Sequence, residues 1–503
     1  MTNQVPTPSY GAEIEKVFSS TDGRPHIVGN AYFEHLEKAK KARGEKTKLK
    51  YIKDVAVGVY NPYGEESLDN SFALGESATG PVSDKDGGLV KLHEITTLEL
   101  QDVQAALAAE GGTILNMSNH PLITVNKATY ERTVAPKPVY DYLNNVRGWK
   151  HMAGIDAKAQ NSPSTGVPPS AAVRAVNVMI GLGAPLIAIY ANSPFEGGKL
   201  TGKQENRMNI WPEMFGKAHA KWDRRMHLPP LAPFKNMRDY FQWMFPADST
   251  MFFVLAGSNT TTVKGDTSMV IIDGKPSLLE FMKGEKWQGT IHGSGEKTTV
   301  IPEMHHFALH QFTQFSGARI RYGFKDQPLD VKKFNEAMSK KGYEVDALFE
   351  EYCAFTYIEG RDPGANFADA SLVSLPNKAI AKSVVISPAA IQAGMLRNLE
   401  AAEALMHSYP WETLCGLRQQ AAIDGLEASY DGTQLRPIAD ALLSIARDGL
   451  KAEEHWMLAY PKHVLHSGEN GAVKAMKLYE QTAGSDYDRL QAVARGRAAI
   501  IPE

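Results

Sequence analysis

Residues 173–191 constrain this chain more than any other segment, because almost all of them are apolar and must be kept from water. Arg174 and Asn177 stand near the start of the run, and Gly181, Gly183 and Pro185 weaken a helix in its later part. No window of the sequence approaches the roughly 18 apolar residues of a membrane span, so the run is read as a helix buried within a protein core. Such a helix needs layers around it. The chain has the material for them: 503 residues, 43% hydrophobic and 22% charged, give a globular balance with no bias toward disorder.

The remaining sequence suggests what those layers are. Residues 51–60, rich in β-branched and aromatic side chains, read as a strand that stops at Asn61-Pro62-Tyr63-Gly64. Residues 61–88 read as a loose acidic loop carrying Glu65, Glu66, Asp69, Glu76, Asp84 and Asp86. A helix is expected over 94–110, stopped by Gly111-Gly112, then a strand over 113–117, a helix over 139–146 and a strand over 151–160. Two apolar runs, 251–255 and 269–272, flank a Thr-rich stretch and suggest an antiparallel pair. Beyond residue 378 the apolar spacing is helical, over 389–407, 412–422, 435–450 and 470–481. Strands mixed with helices, with helices collected at the end, imply an α+β architecture. The expected division is a polar helical extension over 1–50, a catalytic α+β core over 51–377 and a helical C-terminal layer over 378–503.

Lys and Arg total 54 against 57 Asp and Glu, with no long block of one sign, so neither nucleic acid nor an anionic membrane is the expected partner. Small-molecule substrates are. The sequence carries no sign of its oligomeric state. Only Cys353 and Cys415 occur, outside any CxxC spacing, which excludes a disulfide framework and fits a reducing cytoplasm. Residues 1–24 are polar and lack the apolar core of a signal peptide.

The motifs GxxxxGK[ST], strand-borne GxGxxG, HExxH and GxSxG are absent. An enzyme that uses ATP without a phosphate loop usually holds the triphosphate through carboxylate-bound Mg²⁺ and arginine forks, residues that lie scattered in sequence. His306 and His310 of the group His305, His306 and His310 would share a helix face, a spacing that suits zinc or iron. No carboxylate completes a compact triad, and Phe307, Leu309 and Phe312 surround the group, so a packing role is favoured.

One set of motifs is more specific. The buried helix ends in Ala191-Asn192-Ser193-Pro194-Phe195, and Glu205-Asn206-Arg207-Met208-Asn209-Ile210-Trp211 follows Gly202. This combination resembles the glutamate–cysteine ligase family, in which an ANSPF-type turn precedes an arginine-containing segment ending in IW. The flanking segments keep the family's order. A helix, a Gly-rich break, a strand and His120-Pro121 come before, and Ala153-Gly154-Ile155 opens the strand that reads TAGIQVNLD in relatives. Thr298-Thr299-Val300-Ile301-Pro302-Glu303 then resembles TTxFPE, and Arg319-Ile320-Arg321 stands where relatives carry LExR. The resemblance covers roughly residues 90–500.

It implies a glutamine-synthetase-like fold, a curved and mainly antiparallel sheet forming a funnel, with ATP and Mg²⁺ at one end and glutamate at the other. It implies an ATP-dependent carboxylate–amine ligase forming a γ-glutamyl-type amide through an acyl phosphate, as in glutathione biosynthesis. On this basis Glu303 is a metal ligand, Arg321 the clamp on the phosphates of ATP, and Arg207 a partner for a substrate carboxylate or phosphate. Asn192 sits at the substrate turn, and Trp211 is read as packing. Where relatives read QVNLD, this chain reads Asp156, Ala157, Lys158, Ala159, Gln160. Lys158 would grip a carboxylate or phosphate and Asp156 an amine or metal, with an internal Asp–Lys pair as the competing role. The family's GxExE strand of metal-binding glutamates is sought at Val57-Gly58-Val59-Tyr60-Asn61, which lacks them, leaving Glu65 and Glu66 as candidate substitutes. On that gap a second reading stays open, a catalytically altered or inactive relative that binds a small molecule or regulates a partner.

Overall fold

Ser9–Ser20 forms β1, the central strand of a nine-stranded antiparallel sheet. The computed structural model describes residues 8–154, 158–256, 267–327 and 329–502. The other strands are β2 (Lys48–Ile52), β3 (Val55–Asn61), β4 (Gly64–Leu68), β5 (Leu74–Ser83), β6 (Gly112–Leu115), β7 (Asn161–Gly166), β8 (Ala318–Phe324) and β9 (Cys353–Gly360). Their order is β8-β9-β7-β1-β5-β4-β3-β2, with β6 paired to the C-terminal end of β1. The turn from β3 to β4 is tight. Gly64 has φ 153°, and a Cβ there would lie 1.7 Å from the Ala78 carbonyl oxygen, so only glycine fits.

Side chains alternate between faces along each strand, so the register decides which residues meet. Glu13 and Glu15 of β1 lie opposite Ala78 and Glu76 of β5, which in turn lie opposite Glu65 and Ser67 of β4. On the other side of β1, Gly11 pairs with Ser164, Ser164 with Glu359, and Glu359 with Arg319, so these residues share the same front face. The back face packs on α1 (Asn30–Ala42) and α2 (Gly88–Ala109).

The apolar run forms two buried helices, α3 (Pro169–Gly181) and α4 (Gly183–Ile189), bent by 48° at Leu182. Gly183 makes the bend possible at this depth: a Cβ would lie 2.0 Å from Asp362 Oδ2, part of a buried ion pair with Arg418. α3 packs on β8 and β9, while α5 (Ser387–Arg397) covers β7 and is backed by α6 (Leu435–Gly449). The helical C-terminal region thus closes over the sheet. Among the described residues no single helix is long and apolar enough to cross a membrane.

Four expectations are corrected. The first 50 residues supply the central strand rather than an extension. Residues 51–60 belong to a hairpin, β2 and β3, that turns at Lys53, whose φ is 54°. Residues 61–88 hold β4 and β5 instead of a loop; the strand pattern is masked because the front-face side chains of these strands are charged or small. Residues 151–154 are a 3₁₀ turn, and the strand begins only at Asn161.

Candidate active site

β1 builds the site. Gly11-Ala12-Glu13-Ile14-Glu15 sends two carboxylates to the front face, and β5 sets Glu76 directly opposite Glu15. Like charges facing across strands repel, and the arrangement persists where a cation or hydrogen-bond donors offset the repulsion. Asp69, between β4 and β5, completes a group in which Glu15, Asp69 and Glu76 each bring one oxygen within 4.8 Å of the others. The Gln160 N–H donates to Glu15 Oε2 at 2.8 Å, and the Tyr140 hydroxyl donates to the Asp69 carbonyl oxygen at 2.5 Å.

A basic group stands on β8 and β9 of the same face. Arg319 forks onto Glu359 through Nε (2.9 Å) and Nη2 (2.6 Å), Arg361 Nη1 reaches the same carboxylate at 2.8 Å, and Arg321 Nε lies 3.7 Å away. Burial alone would raise the Glu359 pKa, yet the three guanidiniums hold it well below the usual carboxylate range. Glu13 also acts on Arg321, so three permanent cations meet two carboxylates. Nε of Arg321 and of Arg361 have no hydrogen-bond partner among the described residues.

Two joined cavities open over this face. One, of about 180 Å³, runs from Glu15, Asp69 and Glu76 to Lys158 and Arg361. The other, of about 650 Å³, reaches Lys50, Glu65, Lys137, His305 and Arg321. Glu13, Glu76, Phe312 and Arg319 line both. The larger lies within the volume range typical of sites for drug-sized ligands.

Three carboxylate oxygens converging on one place are hard anionic donors, a set that fits Mg²⁺ better than zinc, which favours nitrogen and sulfur. The histidines do not form such a centre. His310 Nδ1 donates to the His306 carbonyl oxygen (2.8 Å) and its Nε2 accepts the Phe252 N–H (3.2 Å), while His306 Nδ1 accepts the Glu303 N–H (3.0 Å). Burial pushes the His306 pKa down to about 3 and that of His310 to about 4, so both are neutral packing groups.

The sequence-derived candidates separate. Arg321 and Lys158 line the cavities, and Lys158 Nζ donates to Glu196 at 3.0 Å. Glu65 faces the larger cavity and pairs with Lys50 at 2.7 Å. Glu66 does not join it: strand alternation turns it to the back face, fully buried against Lys16 (2.8 Å) and the Tyr32 hydroxyl (3.0 Å). Glu303 does not reach the carboxylate cluster either. Its side chain is 64% exposed and turns to His305 at 3.1 Å, because Glu303 is the residue at which the helix Met304–Leu309 begins. Arg207 is buried beneath the cavity floor, committed to Glu205 Oε1 (2.8 Å), Gln160 Oε1 (3.3 Å) and the Asp362 carbonyl (2.7 Å). Asn192 is likewise enclosed, bonded to Asn116, Ala365 and Arg497. Asp156 lies outside the described residues. Trp211, read as packing, lines the smaller cavity.

The GxExE pattern therefore does occur, at Gly11–Glu15 on β1, well before the stretch where it was sought. Asp69 and Glu76 were hidden in the stretch read as loop, and Glu359 and Arg361 carried no motif.

Residues 75–321 match the family model described as glutamate–cysteine ligase family 2. This span carries the family's pattern. The solved glutamate–cysteine ligase of Francisella tularensis in complex with AMP is similar in fold, with a TM-score of 0.50 at 12% identity over 99% of this chain and 90% of that one. A bifunctional glutathione synthetase from Pasteurella multocida gives 0.47 at 12% identity, covering 98% of this chain and 52% of that one. The ligase PafA in its complex with the ubiquitin-like protein Pup gives 0.35 at 10%, covering 94% and 68%. No curated protein matches the sequence. The family is one of ligases, and the matched span includes Glu76, Lys158, Arg319 and Arg321.

Proposed function

We propose that this chain is an ATP-dependent carboxylate–amine ligase that forms a γ-glutamyl-type amide through an acyl phosphate. The observation that carries this reading is the opposition, on one sheet face, of a carboxylate cluster and an arginine group that line the same pair of cavities. Glu15, Asp69 and Glu76 would hold Mg²⁺, which supplies charge neutralisation for the triphosphate. Arg321, with Lys50 and Lys137 in the larger cavity, would bind the phosphates of ATP. Arg319 stands where the cavities join and would stabilise charge on the phosphoryl group as it moves from ATP to the substrate carboxylate oxygen. The amine nitrogen then attacks the acyl carbon, phosphate leaves with the bonding electrons, and the amine proton passes to solvent. The buried floor excludes water from the acyl phosphate, and Arg207 acts there by bracing Gln160 and residues 361–362 rather than by touching ligand.

The GxExE residues on β1 favour this reading over that of an inactive relative. The test is ADP release across pairs of acids and amines with Mg²⁺ present. The reading expects turnover for at least one pair that contains glutamate; folded protein with no turnover for any pair and no Mg²⁺-dependent nucleotide binding would sink it.

A further inference from the structure

We propose that the smaller cavity selects, as the amine substrate, an α-amino acid with an aromatic or large aliphatic side chain; the inference rests on the ligase reading above. One wall of this cavity is an aromatic cluster. The ring centroids of Trp211 and Phe315 are 5.0 Å apart, and those of Trp149 and Phe315 5.8 Å. Phe215 braces them from behind, 4.6 Å from Trp149 and 5.2 Å from Phe315. The Trp149 indole N–H is fixed on Asp223 at 2.8 Å, so the wall is set before any ligand arrives. Trp211 and Phe315 are nonetheless only half-buried, and they line the cavity. Leu143 and Met214 complete an apolar surface.

The rest of the lining includes polar groups, Asn70, Tyr140, His151, Lys158, Gln160 and Arg361 besides the carboxylates. The Arg361 guanidinium lies 5.6 Å from the centre of the Phe315 ring and 5.9 Å from that of Trp211, and its side chain is nine-tenths buried with Nε unpartnered among the described residues. Such a group at the edge of an apolar wall suits a carboxylate. Glu13, which is not one of the three carboxylates assigned to Mg²⁺, also lines this cavity and would attract an ammonium group. A carboxylate, an amine and an apolar side chain are the three parts of an apolar α-amino acid. A polar side chain would be buried on the wall without hydrogen-bond partners, and a small one would leave the wall uncovered. In the ligation step the amine nitrogen of this amino acid forms the bond to the acyl carbon, phosphate departs, and the released proton goes to solvent.

The test holds glutamate as the acid and varies the amine across phenylalanine, leucine, cysteine, glycine and aspartate, reading ADP release. In parallel, quenching of tryptophan fluorescence by the same amino acids is read without nucleotide. Phenylalanine and leucine are expected to be preferred over cysteine and glycine by about 10- to 100-fold in both readouts. Phe315→Ala should erase most of that preference, and Phe315→Leu, which keeps the packing, should retain the preference for leucine. Binding of phenylalanine with this order of preference but no ADP release for any pair would sink the ligase reading and leave the cavity's selectivity standing. Cysteine, glycine or aspartate preferred in either readout, or no preference in the binding assay, would overturn the proposal.

Discussion

The two faces of strands β1, β4 and β5 use the same residue types to opposite ends. On the back face, Lys16, Glu66 and Ser77 are buried and bonded to one another, and the Tyr32 hydroxyl adds a second donor to Glu66. On the front face, Glu15, Asp69 and Glu76 gather as like charges, and three guanidiniums crowd around Glu359. Glu65 and Glu66 are neighbours in sequence, yet one faces a cavity and the other is sealed in the core. Charge that is matched inside the protein serves the fold. Same-sign charges gathered at a cavity repel one another, which makes the front face the candidate site.

Substitutions on each face should break this contrast in different observables. The largest effect belongs to the back: Lys16→Met leaves Glu66 buried without its cation and should cost about 3–5 kcal/mol, read as a lower urea midpoint. Next comes the front. Glu15→Gln or Glu76→Gln should lower ADP release by roughly 100- to 1000-fold, while the urea midpoint stays or rises because repulsion is relieved. A lower midpoint with activity intact would reverse the assignment of the faces.

Buried neutral histidines extend the contrast to pH. The His310 pKa falls from 6.5 to about 4 through burial, so between those values the unfolded chain binds a proton that the folded chain does not. Stability should therefore decline as pH falls through this window, by on the order of 3–4 kcal/mol for this residue at about 1.4 kcal/mol per unit. Equilibrium unfolding at stepped pH checks it, and His310→Asn should flatten the slope. The smallest effect is at Glu303, the exposed residue that sequence resemblance made a metal ligand: Glu303→Gln should change stability by less than about 0.5 kcal/mol and turnover by less than about twofold.

The helices were legible because their apolar residues recur every three or four positions around a single buried stripe. Helix 94–110 emerges as α2 with its stop at Gly111-Gly112, and the C-terminal helices keep their expected places except that 389–407 divides at Asn398 into Ser387–Arg397 and Leu399–His407. Strands β4 and β5 were not, since their front-face residues Glu65, Ser67, Glu76 and Ala78 imitate a loop composition while their back faces alone are core. The apolar run was read correctly as buried but not as two helices; the ion pair of Asp362 with Arg418 that shapes the bend comes from distant sequence. Within the site, Arg321 and Lys158 were reachable through resemblance. Glu13 and Glu15 were readable in principle, as alternating glutamates after a glycine in SYGAEIEKVF. Glu359 and Arg361 had no local signal, because only cross-strand pairing with β8 gives them meaning.

The most direct measurement is calorimetric titration of ATP, with and without Mg²⁺, into the wild type, Glu76→Gln and Glu66→Gln. Mg²⁺-dependent binding in the wild type, lost in Glu76→Gln and kept in folded Glu66→Gln, is the expected result. Equal Mg²⁺-dependent binding by the wild type and Glu76→Gln would contradict the claim that the front-face carboxylates hold the nucleotide's metal.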